Sequence, residues 1–303
     1  MNIPANTRSN MAEATLGRLI TAMVTPFDDN GDVDIARARE LAARLVDEQD
    51  NDAVLVSGTT GESPTTTPKE KLQLAKAVKE EVGDRAKVIA GIGSNDTRAS
   101  VELARETAKL GVDGLLAVTP FYSLPPQDAI VSHFKQIADA TDLPVILYDI
   151  PHRAGREIAT ESMMELAEHP NIYGVKDAKK DVAGAARVIA ETDLVYYAGD
   201  DAMVLSELSI GGQGLVGTST HFTGRRTKEL INAWFSGDQA KALSIYQELL
   251  PVYTGVFATQ GVMMVKAGLA HQGFSVGGLR APLLDAPAEL AEEFGKLLDE
   301  TNL

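Results

Sequence analysis

The sequence predicts an α/β fold: a (β/α)8 barrel of the TIM type with a C-terminal helical extension. Three observations carry this reading. Short apolar runs recur along the chain, each too short for a helix. After each run comes a polar or glycine-bearing loop and then a stretch with helical apolar spacing. Eight such units pass within roughly 220 residues, the length of a closed parallel barrel. An open, doubly wound sheet is the alternative.

Leu19 to Val24 is the first apolar strand, followed by Thr25-Pro26-Phe27 and an Asp-Asn-Gly turn. From Asp34 onward Ile35, Ala38, Leu41, Ala42, Leu45 and Val46 fall on one helical face. Ala53 to Ser57 is the second strand, leading into the loop Gly58-Thr59-Thr60-Gly61-Glu62-Ser63. Pro68 opens the next helix at a position where its missing N–H costs nothing, with Thr67 as its cap. Lys87 to Ala90 is strand three, with its helix from Thr97 to Leu110. Gly114 to Val118 and Pro144 to Tyr148 are strands four and five, with helices around Pro126 to Ala140 and Glu161 to Glu168. Asn171 to Asp177 is strand six; Ile172, Tyr173 and Val175 favour it and Pro170 punctuates its approach. Val182 to Glu191 is helical, Leu194 to Ala198 is strand seven, and Gly199-Asp200-Asp201 leads into another helix. Gly214 to Thr218 is strand eight, before a helix over Thr223 to Phe235.

Three helices then follow, over Ala240 to Leu250, Gly261 to Ala270 and Pro287 to Leu298. The expected organisation is an N-terminal arm over residues 1–17, a catalytic barrel over 18–235 and a helical region over 236–303. No linker-like composition separates the last two.

Composition narrows the function. With 28 Lys+Arg against 43 Asp+Glu, the formal charge is −15, so a phosphate-neutralising face for nucleic acid is not expected. No cysteine is present, which removes disulfides and thiol nucleophiles and suits a cytoplasmic protein. The five histidines form neither His-x-His nor His-Glu-x-x-His, so no metal site is expected. No apolar run reaches the roughly 18 residues of a membrane span. The first residues are polar and lack the apolar core of a signal peptide. Gly91-x-Gly93 opens a dinucleotide-type pattern, but Asp96 stands where its third glycine belongs.

In such a barrel, chemistry collects at the carboxyl ends of the strands. Thr59 and Thr60 fall there, as do Phe121, Tyr122, Tyr148 and Lys176. A strand-end lysine can simply reach water, and a Gly-Thr-Thr-Gly loop can simply be a tight turn. Together they describe more. A desolvated lysine has a lowered pKa and attacks carbonyls, a phenol beside it can shuttle the proton, a hydroxyl can relay it, and loop amides can hold a carboxylate.

Tyr148-Asp149-Ile150-Pro151-His152-Arg153-Ala154-Gly155 and Gly174-Val175-Lys176-Asp177-Ala178 resemble the lysine-dependent class I aldolases of the dihydrodipicolinate synthase and N-acetylneuraminate lyase family. Gly58 to Ser63, Val118 to Tyr122 and Gly199-Asp200-Asp201 match it too, from about Leu19 to the C-terminal helices. By that resemblance Lys176 forms an imine with pyruvate, Tyr148 shuttles protons through Thr59 to Tyr122, and Gly58, Thr59 and Thr60 hold the pyruvate carboxylate. Val216 would line the pocket. Arg153 resembles the arginine that the synthase branch uses for the carboxylate of aspartate 4-semialdehyde, which implies condensation to 4-hydroxy-tetrahydrodipicolinate on the diaminopimelate and lysine route. No cofactor is implied. A homo-oligomer is implied, a tetramer built as a dimer of dimers, with Tyr122 reaching a neighbouring subunit's site. The alternatives are a pyruvate aldolase acting on a keto-deoxy sugar acid, which Arg153 disfavours, and a catalytically silent relative.

Overall fold

A computed structural model describes residues 14–301 and Leu303. Its centre is a closed barrel of parallel strands in sequence order, β1 pairing with β8. The strands are β1 (Leu19–Ala22), β2 (Ala53–Val56), β3 (Lys87–Gly91), β4 (Gly114–Val118), β5 (Val145–Asp149), β6 (Ile172–Asp177), β7 (Val195–Ala198) and β8 (Gly214–Gly217). The open-sheet alternative is therefore excluded. The outer helices are α1 (Ile35–Asp47), α2 (Pro68–Val82), α3 (Thr97–Ala108), α4 (Gln127–Ala138), α5 (Pro151–Ala154), α6 (Thr160–Leu166), α7 (Val182–Glu191), α8 (Val204–Ser209) and α9 (Thr220–Phe235). Then come α10 (Gln239–Gly255), α11 (Gly261–His271) and α12 (Ala288–Glu300).

Local chemistry starts these helices where the chain needs them. Asp34, Asp96, Asp181 and Asp238 each accept a backbone N–H from the first turn that follows. Thr67 does so for α2 as part of a reciprocal pair with Glu70, with Pro68 in the first turn. Two differences from the sequence expectation have physical causes. The single-turn helix α5 is too short to show any periodicity. Helix α10 runs past Leu250 through Pro251, although a proline usually ends a helix; Leu249, Val252 and Tyr253 are buried on either side of it, and that packing outweighs local propensity.

The two faces of the strands build two cores. Ile20, Leu55, Ile89, Leu116, Ile146, Tyr197 and Val216 fill the barrel interior. Alternate residues, among them Val54, Val88, Leu115, Leu147 and Val175, pack outward into the helix layer. Residues 1–13 of the expected arm lie outside the described residues. Ala14 to Gly17 form a turn at the barrel floor, where Leu16 joins the interior cluster and Gly17 O accepts the Tyr197 hydroxyl at 2.9 Å.

The C-terminal helices are fastened onto the mouth by a buried ionic group. Lys266 of α11 pairs with Glu62, in the loop after β2, at 2.8 Å, and the two side chains are 3% and 1% exposed. Lys266 also donates to Gly278 O at 2.6 Å. Arg280 N–H donates to Glu62 Oε2 at 3.0 Å, and its guanidinium reaches Gly31 O, Thr65 O and Glu70. That guanidinium holds the Glu70 carboxyl down at about 2.

Glu207 on α8 is the counterexample. It is buried with one carboxylate oxygen unpartnered, and burial, with Asp177 nearby, pushes it up to about 8. The folded state thus holds a proton that the unfolded chain releases near pH 4, so this residue's contribution to stability falls as pH rises from there through about 8. Glu207→Gln should raise the Tm more at pH 8.5 than at pH 5. The stability gap over wild type should widen by roughly 2–4 kcal/mol between those two pH values. Equal Tm shifts at both would contradict it.

Candidate functional site

Tyr148 and Lys176 are register partners across β5 and β6, both facing the barrel interior. The Lys176 ammonium lies 4.4 Å from the centroid of the Tyr148 ring, and the residue is 4% exposed. Burial pushes the amine down to about 8; Asp201 opposes this and Arg153 adds to it. A ring face favours the cation by roughly 0.5–2 kcal/mol, so desolvation is the larger influence here. At pH 7 about one amine in ten is then neutral, against about one in three thousand for an ordinary lysine. Burial pushes the Tyr148 phenol the other way, up to about 12, against the pull of Arg153 and of a hydrogen bond with the Thr59 side chain. It therefore keeps its proton at neutral pH while touching a hydroxyl that can relay it.

Close backbone approach makes room for this pair. A Cβ on Gly199 would stand 2.8 Å from Asp177 O and 3.0 Å from Lys176 Cγ, so only glycine leaves the lysine stem its space. A Cβ on Gly91 would lie 2.2 Å from Ser57 O, so this glycine lets the Thr59–Thr60 loop close over the end of β3.

Beyond β8 a buried network sets the opposite wall. Asp201 accepts from Thr218 N–H at 3.1 Å, Ser219 N–H at 2.8 Å and Ser219 Oγ at 2.5 Å. The Thr218 hydroxyl lies 3.3 Å from that of Thr60, joining the loops after β2 and β8. His221 accepts from Val24 N–H through Nε2, so its proton sits on Nδ1 and is donated to Thr218 O at 2.8 Å. Burial pushes this histidine down to about 4, which keeps it neutral.

The cavity above the pair has a volume of about 490 Å³. Thr59, Thr60, Tyr148, Arg153 and Lys176 line it, so five of the eight site residues expected from sequence meet in one place. The other three stand elsewhere. Gly58 is buried beneath the loop, against Leu55. Val216 packs inside the barrel with Tyr148, and Thr218, two residues on, forms the wall instead. Tyr122 is 90% exposed with φ of +71°, a left-handed conformation rare for so large a residue. It does not line its own chain's cavity among the described residues. Sequence reasoning missed Thr218 and Gln260. The polar run Thr218-Ser219-Thr220 after an apolar strand is a usable signal for the first; nothing local marks the second.

The family model of the dihydrodipicolinate synthetase family matches residues 15–301. The chain is 57% identical to a 4-hydroxy-tetrahydrodipicolinate synthase of Cutibacterium acnes over 293 residues, covering 97% of this chain and 100% of the relative. It is 52% identical to the enzyme of the same name from Acidothermus cellulolyticus, covering 93% and 91%. Among solved structures it superposes on the synthase of Cyanidioschyzon merolae with lysine bound at a TM-score of 0.93 and 39% identity, covering 95% and 99%. The Bacillus anthracis synthase gives 0.90 and 38%, covering 94% and 98%.

The lowered amine predicts a pH profile. Its reactive neutral fraction grows as pH rises and levels off above about 8. The initial rate of borohydride-trapped imine formation, with pyruvate as the carbonyl, should climb about tenfold per unit below that value and flatten above it. A climb that continues past pH 9.5 would mean the lysine is not desolvated.

Proposed function

The chain belongs to the dihydrodipicolinate synthetase family, and we propose that it condenses pyruvate with L-aspartate 4-semialdehyde through an imine on Lys176. The product is 4-hydroxy-tetrahydrodipicolinate, in the diaminopimelate and lysine pathway. The enzyme is a lyase. One observation carries the residue assignment: the buried Lys176 amine lies 4.4 Å from the ring centroid of the buried Tyr148, and Thr59 lines the same cavity.

The neutral Lys176 amine attacks the keto carbon and water leaves, giving the imine. Loss of a methyl proton gives an enamine, whose carbon attacks the aldehyde carbon of the semialdehyde. The semialdehyde's own amine then closes the ring onto the imine carbon and releases Lys176. Each step moves a proton at the nitrogen or at a developing alkoxide, and Tyr148 with the Thr59 hydroxyl is the pair placed to carry it. The amides of Thr59 and Thr60, in the loop running on from Gly58, hold the pyruvate carboxylate. Val216 supports the Tyr148 ring from within the barrel. Arg153, on the rim, takes the semialdehyde carboxylate by a charge-assisted contact. No step runs through a metal or a cofactor.

Arg153 also separates this reading from a sugar-acid aldolase. Borohydride with pyruvate should add mass at Lys176 and leave a Lys176→Ala protein unmodified. Arg153→Ala should still form the imine but lose roughly 10²-fold in kcat/KM for the semialdehyde, the worth of an ionic contact of a few kcal/mol. An unchanged kcat/KM would refute that role and favour the sugar acid.

Assembly belongs to the same reading. We assign a cytoplasmic homo-oligomer, a dimer of dimers, in which Tyr122 completes the relay of a neighbouring subunit. Its support is the ring itself, 90% exposed on a left-handed backbone just past β4. One solved relative is described as a monomeric dihydrodipicolinate synthase variant, so self-association is a property each chain must be tested for. Sedimentation should show at least a dimer, and Tyr122→Phe should lower kcat without dissociating it. A fully active monomer would show that the ring serves only its own chain.

A further inference from the structure

We infer that Gln260, in the C-terminal helical region, is a positioning residue for Arg153 and thereby sets the affinity for the acceptor aldehyde; this rests on the reaction proposed above. Arg153 stands on α5, a single turn at the rim, and its long side chain is exposed. An unrestrained arginine there would sample many rotamers. Its restraint comes from across the cavity, where Arg153 Nη2 donates to Gln260 Oε1 at 2.9 Å. A guanidinium only donates, so the atom facing it must be the amide oxygen. The amide nitrogen then turns away from Arg153.

The acceptor is exposed, and its backbone is anchored. Gln260 is the residue before α11, and its carbonyl receives Met263 N–H at 2.9 Å. Gln260, Arg153 and Phe257 line the same cavity as Lys176.

The chemistry of the partner matters as much as its position. Other cations around the mouth meet carboxylates: Lys180 pairs with Asp200 at 2.6 Å and Arg280 with Glu70 at 2.5 Å. Arg153 meets a neutral amide. Its charge stays uncompensated while one hydrogen bond directs it over the cavity, which is what capture of a substrate carboxylate requires. A glutamate at the same place would restrain the guanidinium equally well and would occupy it.

The test compares full-length wild type with Gln260→Met, which keeps volume but removes the acceptor, and Gln260→Glu, which keeps the acceptor but adds charge. Steady-state constants for both substrates and borohydride-trapped imine are read for each. Gln260→Met should raise the semialdehyde KM roughly 3- to 10-fold and Gln260→Glu by about 10-fold or more. The pyruvate KM and the imine yield should stay within about twofold, which a merely structural loss would not spare. Combined with Arg153→Ala, either change should add almost nothing, because Gln260 acts through the arginine. Full additivity, or an unchanged semialdehyde KM in Gln260→Glu, would overturn the assignment alone. A wild-type protein that traps pyruvate but never turns over the semialdehyde would overturn the reaction, and this assignment with it.

Discussion

The structure depends on one constraint: an amine has been taken out of water at the mouth of a closed barrel. Lys176 can be buried only because β6 presents it inward beside Tyr148, and β6 can do so only because eight strands close with the register they have. Desolvation then acts on both partners, lowering the amine and raising the phenol. The two shifts suit one job, since the base becomes available near neutrality while the acid keeps its proton. Glycine at position 199 is the steric condition for the lysine stem to lie there at all.

The helical extension is part of the site. The Glu62–Lys266 pair and Arg280 tie it to the loop that carries Thr59 and Thr60. Removing one member of such a buried pair typically costs about 3–5 kcal/mol, because the survivor is left charged and dry. Replacing both by well-packed apolar residues can cost far less, so the pair is better understood as fixing where the extension docks. What it fixes is a wall of the cavity formed by Phe257, Gln260, Val262 and Leu283.

How legible this was in the sequence follows from the range of each interaction. The strands and their helices rest on local periodicity and, for α2, on the Thr67 cap, and they could be read directly; the Asp34 and Asp96 caps were not read. Lys176 and Tyr148 were legible through spacing, because both end strands that must be neighbours in a barrel. Val216 was assigned to the pocket wall, yet it lies one layer down with Thr218 above it, since the depth of a side chain within a barrel depends on strand stagger that sequence alone does not display. Gln260 was invisible for a stronger reason. It meets Arg153 across 107 residues, and neither residue carries a pattern that names the other.

The protein's overall charge gives the cavity its last constraint. A molecule at −15 repels anions at long range, and both proposed substrates carry carboxylates. Screening limits that repulsion to about 8–10 Å at physiological ionic strength, so within the mouth only near groups count. There burial works toward neutrality, lowering Lys176. Lys180 is neutralised by Asp200. Arg153, which lines the same cavity, is held by an amide in place of a carboxylate. In the proposed reaction that guanidinium is what makes an acidic protein receptive to an acid, provided nothing anionic of the protein's own reaches it first.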